Sequence, residues 1–123
     1  MMNMESNVRE KVLRAFLTEV ILRLLSHHHA TGYEIVDSIA KEFGIRIGPN
    51  VIYTKLASME RSKLIACLQH SRKRTYSLTE KGRKMLEAMP ETINEIQRSV
   101  LLLLRNSVQK NIKVNHLSNL DEL

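Results

Sequence analysis

Residues 71–74 carry the densest positive charge in the sequence, with Ser71 followed by the cations Arg72, Lys73 and Arg74. Neighbouring like charges repel one another, so this cluster contributes nothing to the stability of the fold. Cations on a tight turn are suited to the phosphate oxygens of DNA or to its minor groove. We predict that all three cations bind the DNA backbone, with Lys63 in the same role. The alternative is a turn that is merely solvated.

A second group of polar side chains recurs within residues 49–61. Asn50, Thr54, Ser58 and Arg61 are spaced by four, four and three residues, which places them on one face of a helix. Apolar residues on the opposite face would anchor that helix, as reading of the major groove requires. The alternative is the solvated polar face of any amphipathic helix. The residues predicted to face DNA are Asn50, Tyr53, Thr54, Lys55, Ser58 and Arg61.

Tyr33 and Tyr53 each carry a hydroxyl group that could donate a hydrogen bond to a phosphate. An equally good interpretation places both at the edge of the core with the hydroxyl in water.

The positive charge is confined to one stretch of the chain. The 123 residues have a formal net charge of +6, yet residues 44–84 hold ten basic and two acidic residues, while the rest holds nine basic and eleven acidic. Such concentration favours a nucleic-acid partner. A protein-interaction module would not need it, whereas a non-specific DNA-binding architectural protein would, so the latter remains the main alternative function.

The elements that would position these residues follow from the apolar periodicity and from capping signals. A first helix is expected from near Asn7, with Asn7 and Glu10 as a capping box, to about residues 26–30. A second begins with the Thr31–Glu34 capping box, and a third begins at Pro49. Strands are predicted at 64–70 and 75–79, joined by the turn 71–74. Thr79 caps a fourth helix, Pro90 marks a break, and a last helix runs from residue 91 to about 110.

This order predicts a mainly α chain with a small β-hairpin (α+β): a winged helix-turn-helix with a C-terminal dimerisation helix. The predicted domains are a winged helix DNA-binding domain at 7–89, the dimerisation helix at 90–110 and a flexible tail at 111–123.

The last predicted helix carries an apolar stripe too continuous for a helix exposed to water, which predicts a homodimer. The alternative is packing within the same chain. A symmetric dimer would place two reading helices about 34 Å apart and so favour a palindromic site. The predicted interface residues are Val12, Phe16, Ile93, Ile96, Val100, Leu103 and Leu104.

Between about residues 20 and 85 the sequence resembles the PadR family of winged-helix transcriptional regulators. The resemblance lies in "VILRLLSHHHATGYEIVDSI", "GPNVIYTKLASMERSKLI" and "RKRTYSLTEKGRKML". It implies a dimer formed through the first and last helices, often acting as a repressor. Asn50-Val51 stands where Gly-Thr is more typical, and Thr54-Lys55 where Pro-Leu is common, which leaves the target sequence and any ligand response open.

Other chemistries find little support in the sequence. It has no glycine-rich phosphate loop and no recognisable catalytic constellation, so we expect no enzyme activity and no cofactor. His27-His28-His29 has no adjoining Cys or acid cluster, so we expect no metal site. Cys67 is interpreted as a small core residue. With one cysteine, no membrane-length apolar run and no signal-peptide pattern, a cytoplasmic location is expected. A small-molecule effector is possible but not indicated.

Overall fold

The computed structural model describes residues 4–108. Within this range the elements confirm the predicted fold class, helical with a small antiparallel sheet. They are α1 (Met4–Ala15), α2 (Leu17–His27), β1 (Ala30–Thr31), α3 (Gly32–Phe43), α4 (Pro49–Arg61), β2 (Ile65–His70), β3 (Lys73–Leu78), α5 (Glu80–Glu87) and α6 (Met89–Val108).

The prediction of a single first helix beginning near Asn7 was wrong in two respects. The helix already begins at Met4, so Asn7 and Glu10 lie inside it and form no N-terminal capping box. At Phe16 the backbone leaves helical geometry (φ −114°, ψ 29°) and α2 begins at the next residue. The Phe16 N–H still donates to the Val12 carbonyl at 3.0 Å, so the interruption is one residue long.

The predicted capping box at the start of α3 is confirmed. The Glu34 N–H donates to Thr31 Oγ1 at 3.1 Å, and the Thr31 N–H donates to Glu34 Oε1 at 2.9 Å. The helix ends at Phe43, and its C-cap residue Gly44 has a φ of 64°, in the left-handed region that favours glycine. The short linker 45–48 then leads to α4.

The sheet has three strands rather than the predicted two, in the order β1-β3-β2, with all pairs antiparallel. The two-residue strand β1 pairs Ala30 with Tyr76 and Thr31 with Thr75. The hairpin register pairs Ile65 with Leu78 at the base. Since β1 directly precedes α3, it ties the hairpin to the start of that helix.

The main core lies among the elements that precede residue 88. Ile21, Leu22, Ile39, Ile52 and Leu56 are fully buried at its centre. Helices α2, α3 and α4 pack around them, and α2 also contacts β3 and α5. The core therefore fixes the helices on both sides of the 45–48 linker to one another.

The chain divides into two compact units between Glu87 and Ala88. Helix α5, capped by Thr79 as predicted, belongs to the first unit: Thr79 Oγ1 accepts a hydrogen bond from the Gly82 N–H at 3.1 Å. Helix α6 belongs to the second, and Pro90 lies in its first turn, where its missing N–H costs no hydrogen bond. The sequence prediction placed this boundary after residue 89, and its tail at 111–123 lies outside the described residues.

Candidate nucleic-acid interface

Helix α4 has one buried face and one exposed face. Ile52, Leu56 and Met59 are at most 2% exposed and pack against α2, α3 and β2. Pro49 stands in the first turn, after the N-cap residue Gly48. The helix is therefore held rigidly from one side, as a helix that reads DNA must be.

The other face of α4 presents the polar residues that the sequence predicted. Asn50, Thr54 and Arg61 are exposed, and Ser58 and Lys55 are half-buried. Together with Val51 these residues line one shallow surface depression along the helix. The structure thus brings the predicted reading residues into a continuous strip, and Tyr53 lies beside it.

Tyr53 is positioned by the start of α3. Its ring lies so close to the α-carbon of Gly32 that any side chain at Gly32 would overlap it. Tyr53 nevertheless remains 44% exposed, so part of its side chain is accessible to a partner while one edge of the ring contacts Gly32. The packing of the ring agrees with a place at the edge of the core, and a hydrogen bond from Tyr53 to a phosphate stays a prediction.

The linker between α3 and α4 adds a cation that the site prediction omitted. Ile45 and Ile47 are buried, and Arg46 between them is exposed. The sequence signal for this cation was the alternation of apolar and basic residues in "IRI". Burial of the two isoleucines points the arginine between them toward solvent. Arg46 is therefore a further candidate phosphate contact beside the N-terminus of α4.

The end of α4 is locked by a Schellman motif. The Leu64 N–H donates to the Met59 carbonyl at 2.9 Å and the Lys63 N–H to the Glu60 carbonyl at 3.0 Å. Lys63 takes the left-handed position at φ 64°, which glycine usually fills. The exit of the chain from α4 into the hairpin is therefore fixed, with the Lys63 side chain exposed.

The hairpin turn is tighter than the sequence predicted. Lys73 and Arg74 belong to β3, so only Ser71 and Arg72 form the loop, and Ser71 has φ 58°. Arg72 and Lys73 are exposed at the tip, where Lys73 pairs with His70. The boundary was misplaced because "RKRT" contains no glycine or proline that would confine the turn to two residues.

Arg74 contacts other residues of the fold, unlike Arg72 and Lys73 at the exposed tip of the hairpin. Its Nη2 donates to Glu60 Oε1 of α4 at 3.1 Å, and its guanidinium lies 5.9 Å from the ring centroid of Tyr76. A side-chain hydrogen bond with Cys67 and then the electrostatic interaction with Tyr76 raise the pKa of Arg74 above its ordinary value. Burial raises the pKa of Tyr76, so this residue stays a neutral phenol beside the cation.

Tyr33 is highly exposed in the first turn of α3, beside the capping box. The neighbouring Glu34 has its pKa lowered, chiefly by the hydrogen bond from the Thr31 N–H and then by the Thr31 hydroxyl. The positive charge of Lys73 also lowers this pKa, so the hairpin tip lies within electrostatic reach of the α3 N-terminus. Both elements therefore belong to the same cationic side of the first unit.

Most cations of residues 44–84 are exposed and unpaired with carboxylates. Arg74 pairs with Glu60, and Arg83 pairs with Glu80 and Glu87. Among the described residues no other cation of this stretch forms an ion pair: these are Arg46, Lys55, Arg61, Lys63, Arg72, Lys73, Lys81 and Lys84. Their charge is available to an external anion, and Lys55 and Arg61 lie on the exposed face of α4 itself.

The residues predicted to form a dimer interface lie at the surface of each unit. In the first unit Val12 is exposed and Phe16 half-buried, and both line an apolar groove with Val8, Val20 and Phe43. In the second unit Ile93, Val100, Leu103 and Leu104 are exposed on α6, and Ile96 is half-buried.

The other side chains singled out in the sequence form no additional site. His27, His28 and His29 are all exposed, and no cluster within residues 4–108 has the composition of a metal site. Cys67 is half-buried and packs against the core, as predicted. No helix in the described range is long and apolar enough to cross a membrane.

Comparison with known proteins points to one family. The profile of the "Transcriptional regulator PadR-like family" matches residues 21–88. A PadR family transcriptional regulator from Eggerthella lenta is similar at 25% identity over 80% of this chain and 90% of that chain, with a TM-score of 0.66. No curated protein sequence matches.

Two further solved structures share the fold. A transcriptional regulator from Clostridium thermocellum is 22% identical over 92% of this chain and the whole of that chain, with a TM-score of 0.62. Bacillus subtilis PadR, solved in complex with operator DNA, is 26% identical over 59% of this chain and 45% of that chain, with a TM-score of 0.53.

Proposed function

Because the chain belongs to the PadR-like family of transcriptional regulators, we propose that it is a sequence-specific DNA-binding repressor that acts as a homodimer on a palindromic site. The family consists of transcriptional regulators, which confirms the expectation that this chain is not an enzyme. A regulator of this kind would work in the cytoplasm, where its DNA target lies.

The observation that carries the proposal is the exposed face of α4. Asn50, Thr54 and Arg61 offer the amide, hydroxyl and guanidinium groups that read base edges, on a helix whose other face is fully buried. Ser58 and Lys55 complete the strip. Phosphate contacts from unpaired cations of residues 44–84 would set the position of this helix in the major groove without reading sequence themselves.

The hairpin fits the role of the wing. We assign phosphate or minor-groove contacts to Arg72 and Lys73 at its tip, with Lys63 at its base and Tyr33 beside it. Each cation that neutralises a phosphate releases a counterion. Binding should therefore weaken steeply as the salt concentration rises.

The homodimer rests on exposed apolar surface in both units. Leu103 and Leu104 are more than half exposed on α6, and Val12 is half exposed on α1. Apolar surface of this kind favours burial against a second copy of the chain. Repression is proposed because a dimer seated on operator DNA blocks access to it, and Bacillus subtilis PadR is the relative seen on operator DNA.

The test is selection of bound sequences from a random DNA pool, carried out with the wild type and with Ser58→Ala plus Arg61→Ala. The matched control is Ser99→Ala plus Arg98→Ala, which removes the same side-chain types from α6. We expect the wild type and the control to enrich a palindrome with half-sites about 10 base pairs apart. The α4 variant should lose that enrichment.

The other outcomes separate the alternatives. Salt-sensitive binding without an enriched sequence would replace the proposal with a non-specific architectural protein. No binding at low salt would leave a winged-helix protein-interaction module.

The dimer has its own test in sedimentation equilibrium. Leu103→Glu plus Leu104→Glu places two charges on the proposed interface and should yield monomers. Leu102→Glu is the control, because a step of about 100° per residue places Leu102 on the face of α6 that points away from the apolar stripe. A dimer that survives the double substitution would contradict this interface.

A further inference from the structure

One ion pair joins the proposed reading helix to the proposed wing. Glu60 is the penultimate residue of α4. Its carboxylate accepts a hydrogen bond from Arg74 Nη2 on β3 at 3.1 Å. The two residues are 14 positions apart in the chain. They belong to the two elements that DNA would have to engage together.

The position of Glu60 is unusual for an acid. It is one of two acidic residues in the basic stretch 44–84, and the other, Glu80, pairs with Arg83 within its own helix. A carboxylate on a helix that approaches DNA repels the phosphates and so weakens binding. Its presence calls for a compensating role, which the contact with Arg74 supplies.

Arg74 also has an anchor that the cations at the tip lack. It lies two residues from Tyr76, so both side chains leave the same face of β3, and its guanidinium lies over the ring of that 5% exposed residue. Arg72, by contrast, lies in the loop, and within residues 4–108 its side chain forms no hydrogen bond or ion pair. The rigid fork of arginine suits a residue that must hold two partners at once.

We propose that Arg74 is a positioning residue: its contacts with Glu60 and Tyr76 set the angle of the wing against α4, and it does not itself bind phosphate. This inference rests on the proposed function and refines it, because the sequence had grouped Arg74 with Arg72 and Lys73 as backbone contacts. In this arrangement the two cations nearest the tip bind phosphate. Glu60 and Arg74 keep those cations at a fixed distance from the bases that α4 reads.

The first experiment measures DNA affinity against salt concentration for the wild type, Arg74→Gln, Glu60→Gln, the double variant and Arg72→Gln. The DNA is the sequence selected by the wild type or, if none is selected, a random duplex. Arg74→Gln and Glu60→Gln should each weaken binding about threefold, since the pair is half exposed. The double variant should be no weaker than either single one. The salt slope is the slope of the logarithm of the binding constant against the logarithm of the salt concentration. Among these single variants, only Arg72→Gln should make it shallower, by about 0.9, because it loses one phosphate contact.

Two results would overturn the inference. A salt slope reduced by about 0.9 in Arg74→Gln would make that residue a phosphate contact. Tighter binding by Glu60→Gln would mean that Glu60 only repels DNA.

The second experiment needs no DNA and separates the inference from the proposed function. Amide hydrogen exchange of the free protein should accelerate by about threefold in β2 and β3 near the tip for both Arg74→Gln and Glu60→Gln. Arg72→Gln should leave it unchanged. If the wild type binds no DNA yet these amides respond, the proposed function fails while the coupling of wing and helix holds. Unchanged exchange in both variants would contradict the coupling.

Discussion

Tyr53 packs its ring against the bare α-carbon of Gly32, at the point where the start of α3 meets the middle of α4. The contact leaves no room for a β-carbon at Gly32. It also holds a 44% exposed aromatic side chain at the edge of the proposed reading face. A glycine in α3 thus sets the orientation of a side chain in α4.

Gly32→Ala should therefore affect DNA binding more than stability. The overlap is with the ring of a partly exposed side chain, which can turn away, so we expect the free energy of unfolding to change by less than about 1 kcal/mol. Displacing the Tyr53 hydroxyl should weaken DNA binding about fivefold, the equivalent of one hydrogen bond. Urea unfolding and DNA titration measure the two effects. In a Tyr53→Ala background the same substitution should leave affinity unchanged, and a persisting loss would refute this explanation.

Gly82→Ala should give the opposite balance. A β-carbon there would overlap the backbone carbonyl oxygen of Leu64 and press on the side chains of Leu78 and Leu22. A backbone carbonyl cannot rotate away from the new β-carbon as a side chain can, so we expect a loss of about 3 kcal/mol in the free energy of unfolding. In a helix interior, alanine is normally more stable than glycine. Thermal and urea unfolding measure it. The exposed Lys84→Ala in the same helix is the control, expected within about 0.5 kcal/mol of wild type.

The sequence predicted the helices and strands best where side chain and backbone interact locally. The Thr31–Glu34 capping box was found because its two hydrogen bonds join residues three apart. The same spacing at Asn7 and Glu10 gave a wrong helix start. Such a polar pair also occurs inside helices, and no local signal in the sequence marks Met4 as the first residue. The break at Phe16 has no glycine or proline, and the apolar periodicity runs through it undisturbed.

Features that depend on contacts between distant parts of the chain could not be predicted from the sequence patterns. Strand β1 has two residues and exists only because Ala30 and Thr31 meet β3, more than 40 residues later. The exposed face of α4 was predictable because helix periodicity alone determines it. The Glu60 contact of Arg74 was not, since it depends on how the hairpin folds back toward the end of α4.

Lys63→Gly should stabilise the protein. Lys63 occupies a left-handed backbone position with φ 64°, which costs a residue with a β-carbon about 1 kcal/mol and costs glycine almost nothing. Urea unfolding should therefore show a gain of about 1 kcal/mol. Lys63→Ala keeps the backbone cost and removes only the charge, so it should gain nothing. If Lys63 binds phosphate, both variants should show the same reduction in the salt slope of DNA binding, and a reduction in neither would remove it from the interface.

Glu34→Gln should reduce the dependence of stability on pH in the acidic range. The hydrogen bonds from Thr31 hold the pKa of Glu34 below its ordinary value in the folded protein. A lowered folded-state pKa means that the ionised carboxylate stabilises the fold above the pKa of the unfolded chain, and that this contribution is lost as pH falls through the folded-state pKa. The wild type should therefore be more stable than Glu34→Gln at pH 7, and the difference should shrink between about pH 5 and pH 3. Urea unfolding at both ends of this range measures it. In a Thr31→Ala background, which removes the hydroxyl partner, the difference at pH 7 should be smaller, and a difference that stays constant with pH would rule out the capping box as its source.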